Sequence, residues 1–396
     1  MGSDSNLAPL PLPDGISENY VRCDATGLVV HILEAGYTPE RKRPLILLLH
    51  GYPELAFSWR KIMPTLAQKG YYCVAPDQRG YGRTTGWPNA PFDQVDLSQF
   101  TMTNLVRDLV VLIYAIGYKS VHCVIGHDFG AVSSSMCALM RPDMFTSSVT
   151  ISHPFPGSPS PPFNVAHSSN TNTSPTSLSG HNIAAELAAL SEPRKHYKWY
   201  NSSPLAAHDW KNPPQGLDTF LRDYIYVKSA DYAGNNPHPL KEWSAEEVAT
   251  MPYYYIMPLH ASMPEAVQLM MQDQSASATK KWITDSELKV YVDEWRRTGF
   301  QGALNWYRAS TGSSPATTRD LLLFAGKRIE VPTLFVSGVK DWGSYQQPGA
   351  IEKLSETCAD FRGARWIKNA GHWPQQENPE QVSDEILAFL KTIPAS

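Results

Sequence analysis

Short, unbroken apolar runs separated by amphipathic stretches set the rhythm of the first third of the chain. Arg43 to Gly51 (RPLILLLHG) is apolar at successive positions, as a strand buried on both faces requires. Tyr71 to Gly82 (YYCVAPDQRGYG) opens on a second such run, and Ser120 to Asp128 (SVHCVIGHD) and Ser147 to Pro154 (SSVTISHP) supply two more. Between them, Met102 to Gly117 (MTNLVRDLVVLIYAIG) spaces its apolar residues as a helix does and stops at a glycine. Ahead of them, Asn19 to Gly36 (NYVRCDATGLVVHILEAG) reads as a hairpin turning near Thr26-Gly27. Strand, helix, strand, repeated, predicts a doubly wound, mostly parallel α/β sheet.

The rhythm then stops. Residues 156 to about 180 are rich in Ser, Pro, Asn and Thr, have no period, and read as a long surface loop. From about 182 to 325 the pattern is helical, with aromatic-rich connectors and no strand. Its clearest helix is Thr284 to Gly299 (TDSELKVYVDEWRRTG), with Thr284 and Glu287 spaced as a capping box. The α/β rhythm resumes at Val331 to Asp341 (VPTLFVSGVKD) and Ala364 to Trp373 (ARWIKNAGHW). It closes with a helix capped by Asn378, opened by Pro379 and striped by Val382, Ile386, Phe389 and Leu390. The expected division is a core of residues 1–155 and 326–396, interrupted by an α-helical cap over 156–325 that a Ser/Pro-rich loop leads into.

Composition narrows the class. With 396 residues, 42% hydrophobic and 18% charged, the chain is too apolar to be disordered and large enough for one core plus an insertion. Net charge is −4, and the one basic run, Arg41 to Arg43, reads as a solvated turn, which argues against nucleic acid or an anionic membrane as partner. The five cysteines are odd in number and form no Cys-x-x-Cys pair, which points to reduced core thiols inside a cell. The N-terminus lacks the charged and apolar regions of a signal peptide, and Asn6 stands where myristoylation wants Ser or Thr. No apolar run reaches the ~18 residues of a membrane helix, and the final IPAS is not a peroxisomal address, so the expected location is cytoplasmic.

Three residues carry candidate chemistry. Gly126-His127-Asp128-Phe129-Gly130 joins a predicted strand to small residues that start a helix, the shape of a Gly-x-Ser-x-Gly nucleophile elbow with aspartate in the serine's place. Asp341 follows the strand Thr333 to Lys340, and His372 follows the next one. Nucleophile, acid and histidine thus appear in the order and on the elements that a hydrolase triad uses. Taken singly, Asp128 reads equally as a helix N-cap, Asp341 as a turn residue and His372 as a surface histidine. Those readings leave the paired glycines unexplained, whereas a strained elbow has no room for a Cβ on either side.

An aspartate nucleophile changes the reaction. Serine needs a base to remove its proton; a carboxylate held ionised at a helix N-terminus attacks carbon directly. Its target is an sp³ carbon with a leaving group, giving an enzyme-bound alkyl ester. His372, oriented by Asp341, then activates water against that ester. Epoxides and haloalkanes both fit. Phe129 beside the nucleophile and Tyr52 after His50-Gly51 offer no side-chain N–H to a halide, which disfavours the haloalkane.

At this point the chain resembles the soluble epoxide hydrolases of the α/β-hydrolase fold. The matching stretches are HGYPELAFSWR, DQRGYGRT, GHDFGA, GFQGALNWYRAS and GHWPQQENP, and the similarity runs from about residue 20 to 392. The resemblance implies an oxyanion hole from the backbone N–H groups of Tyr52 and Phe129. It implies two cap tyrosines that hold and protonate the epoxide oxygen: Tyr307, in the family's Gly-x-x-Gly-x-x-Asn-x-Tyr-Arg pattern, and Tyr197 in RKHYKWY, with Tyr200 as the other register. It nominates His50, Pro53, Trp199, Trp306 and Trp373 for substrate binding. The family usually places Trp after the nucleophile, where this chain has Phe129. No metal or organic cofactor is expected, since no His-Glu-x-x-His or clustered Cys/His occurs. The aromatic cap suggests bulky apolar or aryl epoxides. The rival readings are a dehalogenase, an epoxide-opening cyclase and a non-catalytic small-molecule receptor.

Overall fold

The computed structural model describes residues 7–159, 182–311 and 319–394. The chain opens with the expected hairpin: β1 (Ile16–Cys23) pairs antiparallel with β2 (Leu28–Ala35), and Gly27 takes φ 70° in the turn. The apolar runs become β3 (Leu45–Leu49), β4 (Tyr72–Pro76), β5 (Cys123–His127) and β6 (Ser148–Ile151), with every residue buried. Helix α1 (Met102–Ala115) precedes β5 and α2 (Phe129–Met140) follows it.

The insertion is mostly helical, with α3 (Tyr197–Asn201), α4 (Leu217–Lys228), α5 (Asp285–Thr298) and α6 (Gln301–Thr311) its main elements here. The capping box at Thr284 and Glu287 forms as expected. One expectation fails: β7 (Arg194–His196) pairs antiparallel with β8 (Ile256–Pro258) inside this region. Strands of three residues are too short to display a period of two and so leave no pattern to read. The Ser/Pro-rich loop lies outside the described residues beyond position 159.

Two strands, β9 (Thr333–Gly338) and β10 (Phe361–Ile367), complete the sheet before the final helix α7 (Pro379–Leu390). Its order is β1-β2-β4-β3-β5-β6-β9-β10, parallel from β4 onward. Along β3, Leu45, Leu47 and Leu49 face one apolar layer while Ile46 and Leu48 face the other, which is why the run is continuous and not alternating. A third apolar cluster fills the insertion and reaches down to Tyr52, Tyr81 and Trp373 at the strand ends.

Polar ties lock the insertion to the sheet. Arg83 pairs with Glu294 at 2.9 Å and Arg60 with Glu287 at 2.8 Å. Indole N–H groups cross the junction in both directions: Trp295 donates to the Pro53 carbonyl, Trp306 to that of Arg79 and Trp373 to that of Ile225, each at 2.9 Å. All five cysteines are buried and unpaired. Among the described residues, no helix is long and apolar enough to cross a membrane.

Candidate active site

β5 ends at His127 and α2 starts at Phe129, so Asp128 alone makes the turn between them. Its φ of 53° and ψ of −118° are costly for a residue with a Cβ, on the order of 1–3 kcal/mol. The neighbouring glycines make the turn possible through space. A Cβ on Gly126 would lie 1.8 Å from the Gly130 carbonyl oxygen, and one on Gly130 would lie 2.1 Å from that of Leu49. The Asp128 side chain does not cap its own helix. Instead the backbone N–H of Tyr52, just past β3, donates to Oδ1 at 3.0 Å.

The other two residues converge on the same point from β9 and β10. His372 Nδ1 lies 3.0 Å from Asp341 Oδ1, and its Nε2 lies 3.4 Å from Asp128 Oδ2 without a hydrogen bond. A carboxylate only accepts, so Nδ1 carries a proton toward Asp341. Asp341 is fixed in turn by the Gly343 N–H at 2.7 Å and the Ser337 hydroxyl at 3.2 Å. Burial opposes ionisation of both aspartates. The attraction of His372 outweighs it at both, helped at Asp341 by their hydrogen bond, and holds both carboxyls below their ordinary range, with Lys228 and His127 adding to the effect at Asp128.

Two groups behind this triad were not singled out from sequence. His127, next to Asp128, places Nδ1 2.5 Å from Glu54 Oε2 and Nε2 2.6 Å from the His372 carbonyl oxygen. Both partners accept, so His127 donates from both nitrogens and forms a buried ion pair with Glu54. Burial resists charge on each; their mutual attraction raises the His127 pKa and lowers that of Glu54. Gln375 and Gln376 also donate to Glu54, at 3.0 and 3.2 Å. The second group is Lys228 at the end of α4. Its carbonyl accepts from the His372 N–H at 2.9 Å, and its ammonium sits 4.9 to 5.7 Å from the ring centres of Tyr224, Tyr254, Tyr255 and Trp373. Burial pushes its pKa down to about 8 against the pull of the nearby carboxylates. His127 stood inside the elbow motif and Glu54 four residues after His50, so both were within reach of the motif reading; nothing in the pattern marked Lys228.

A cavity of about 240 Å³ opens over Asp128, whose side chain is 13% exposed through it. Tyr197 from α3 and Tyr307 from α6 line it, their rings edge to face with centres 5.8 Å apart. Burial, and secondarily surrounding groups that include Asp128, pushes both phenols well above their usual pKa, so they are O–H donors at neutral pH. The Tyr197 hydroxyl donates to Gln346 at 3.1 Å. Tyr200 does not reach the cavity; it faces the opposite hollow and bonds Asp209 at 2.9 Å. Phe129 and Trp306 line the cavity, with Phe100, Met102, Val132, Met136 and Leu321 as its apolar walls.

Four residues nominated for substrate contact lie elsewhere. Trp199 is 40% exposed and borders the outer hollow with Tyr200. His50 is buried between its neighbours, its Nε2 taking the Gln78 N–H at 3.1 Å, and so fixes the loop that carries Tyr52. Pro53 serves through its carbonyl, the acceptor for Trp295. Trp373 packs under His372 and in the Lys228 cage. In each case adjacency to a motif in sequence suggested a contact that the turn of the backbone directs away.

The chain is similar to known proteins of one kind. A family profile described as the alpha/beta hydrolase fold matches residues 44–171. The chain is 31% identical over 374 residues to epoxide hydrolase A of Mycobacterium tuberculosis, covering 93% of this chain and 95% of that protein. It is 29% identical over 371 residues to epoxide hydrolase B of the same organism, covering 92% and 96%. Among solved structures, potato (Solanum tuberosum) epoxide hydrolase I superposes with a TM-score of 0.67 at 28% identity, covering 95% of this chain and 99% of that one. An epoxide hydrolase from an endophytic Streptomyces superposes with a TM-score of 0.71 at 26% identity, covering 96% of each.

Proposed function

The chain belongs to the epoxide hydrolase family of the α/β-hydrolase fold, and from that premise we propose that it hydrolyses its epoxide through a covalent ester on Asp128. In this reading residues 1–155 and 326–396 form the hydrolase core and 156–325 the cap. Oδ2 of Asp128 attacks an epoxide carbon; the C–O bond breaks, and the departing oxygen takes a proton from Tyr197 or Tyr307. The hold of two phenols on that oxygen strengthens as its charge develops, which accelerates the step instead of merely tightening binding.

His372 then takes a proton from water at Nε2. The resulting hydroxide adds to the ester carbon, and the charge that forms on Oδ1 is met by the N–H groups of Tyr52 and Phe129. Collapse releases the diol's second oxygen, which takes a proton from His372, and the carboxyl of Asp128 gives up its proton, which returns to the tyrosinate left by the first step. Asp341 keeps the imidazole in the tautomer this needs and steadies its charge.

The observation that carries the proposal is the unequal setting of the two Asp128 oxygens. Oδ1 is held by a backbone N–H, and Oδ2 is bound by no hydrogen bond beneath two phenols. The cavity's apolar walls support a substrate with an aryl or alkyl body.

A single turnover in oxygen-18 water tests the reading, with enzyme in excess over styrene oxide. The expected first diol is unlabelled, and the peptide containing Asp128 gains the label. Labelled diol in that first turnover would mean direct attack by water and would overturn the ester.

A further inference from the structure

The cavity over Asp128 holds one group that the reaction above does not use. Lys198, the residue after Tyr197 on α3, lines its wall together with His153. Its backbone is engaged: the N–H donates to His196 Nδ1 at 3.2 Å, and the carbonyl accepts from the Ser202 hydroxyl at 2.8 Å. Its ammonium has no hydrogen-bond or ion-pair partner among the described residues.

 Among the described residues, the one carboxylate within electrostatic reach of it is Asp128, whose Oδ1 already accepts from the Tyr52 N–H. Burial lowers the pKa of Lys198 against the pull of that carboxylate, and burial first, then the Lys198 charge, pushes His153 down to about 4. The cavity therefore presents a partly desolvated cation beside a neutral imidazole, surrounded by apolar walls.

An unpaired cation held out of water is costly, and a bound anion recovers that cost. Resting on the reading of Asp128 as the nucleophile, we propose that Lys198 is a specificity-determining residue that receives a carboxylate on the body of the epoxide substrate, with His153 as a second hydrogen-bond partner. A single ammonium matches a monoanion, whereas a phosphate dianion calls for several cations or an arginine fork. The substrate class is then an epoxide whose apolar body ends in a carboxylate, placed away from the ring that Asp128 attacks.

The test compares kcat/KM for the meta and para carboxylates of styrene oxide with their neutral carboxamides, which have nearly the same shape. The wild-type enzyme is expected to favour at least one acid over its amide by roughly tenfold or more, mainly through KM. Lys198→Met should reduce that acid-to-amide ratio by roughly ten- to a hundredfold, and Lys198→Arg should retain most of it. Equal use of acids and amides by the wild type, or an unchanged ratio in Lys198→Met, would overturn the proposal. Plain styrene oxide separates the two levels: its turnover together with indifference to the carboxylate removes only the role of Lys198, while no diol from any of these epoxides removes the underlying reading as well.

Discussion

Oδ2 of Asp128 stands 3.4 Å from Nε2 of His372 with no hydrogen bond between them. The imidazole is near enough to steady the carboxylate's charge and leaves a lone pair of Oδ2 available to carbon. In the proposed reaction the two residues act in successive steps. His372→Gln should therefore form the ester and fail to release it, with turnover falling on the order of a thousandfold. Intact-mass spectrometry should find the enzyme heavier by one substrate, at the peptide containing Asp128. Asp128→Ala should form neither ester nor diol.

The cap tyrosines should separate by register. Tyr197→Phe and Tyr307→Phe are each expected to slow ester formation by roughly ten- to a hundredfold, as measured by single-turnover quenching. Tyr200→Phe, whose hydroxyl bonds Asp209 away from the cavity, should stay within about twofold of wild type. A large loss in Tyr200→Phe with none in Tyr197→Phe would reverse the assignment.

Gly126→Ala probes the elbow without touching its chemistry. The added Cβ would need the space of the Gly130 carbonyl oxygen, 1.8 Å away, and neither β5 nor α2 has slack to give. The expected loss is about 3 kcal/mol or more in urea unfolding, beyond ordinary overpacking because backbone must shift.

Stability should fall on the alkaline side through His31. This β2 side chain places Nδ1 2.7 Å from Asp77 and Nε2 3.1 Å from Glu18. Burial opposes its charge, but the two carboxylates raise its pKa from 6.5 to about 9. The folded state thus holds the proton more tightly than the unfolded chain. That contribution is complete below about pH 6.5, amounts to roughly 3 kcal/mol, and is lost as pH rises toward 9. Melting temperatures between pH 6.5 and 9.5 should fall more steeply for wild type than for His31→Gln.

What the sequence made legible follows from the range of each constraint. β3 and β5 are buried on both faces, so their composition alone declares them, and the elbow glycines answer a local crowding that motif spacing encodes. Asp128, Asp341 and His372 were legible as a group because each sits just past a strand that could be read. Trp199 and Trp373 were misplaced because an aromatic's neighbours in sequence do not fix the direction of its ring. Glu54 and His127 are 73 residues apart, and Lys228 meets His372 only after the insertion folds back over the sheet. Such pairings belong to tertiary structure and leave no periodic trace.

The bond from the His372 N–H to the Lys228 carbonyl has a mechanical consequence. His372, the base in the proposed reaction, is suspended in part from the insertion, and the Trp373 indole beside it is pinned to the same helix at Ile225. An insertion that swung open like a door would carry the histidine out of alignment with Asp341 and Asp128. The roof is better regarded as a keystone than as a door. A molecule that reaches the carboxylate then does so with the insertion in place.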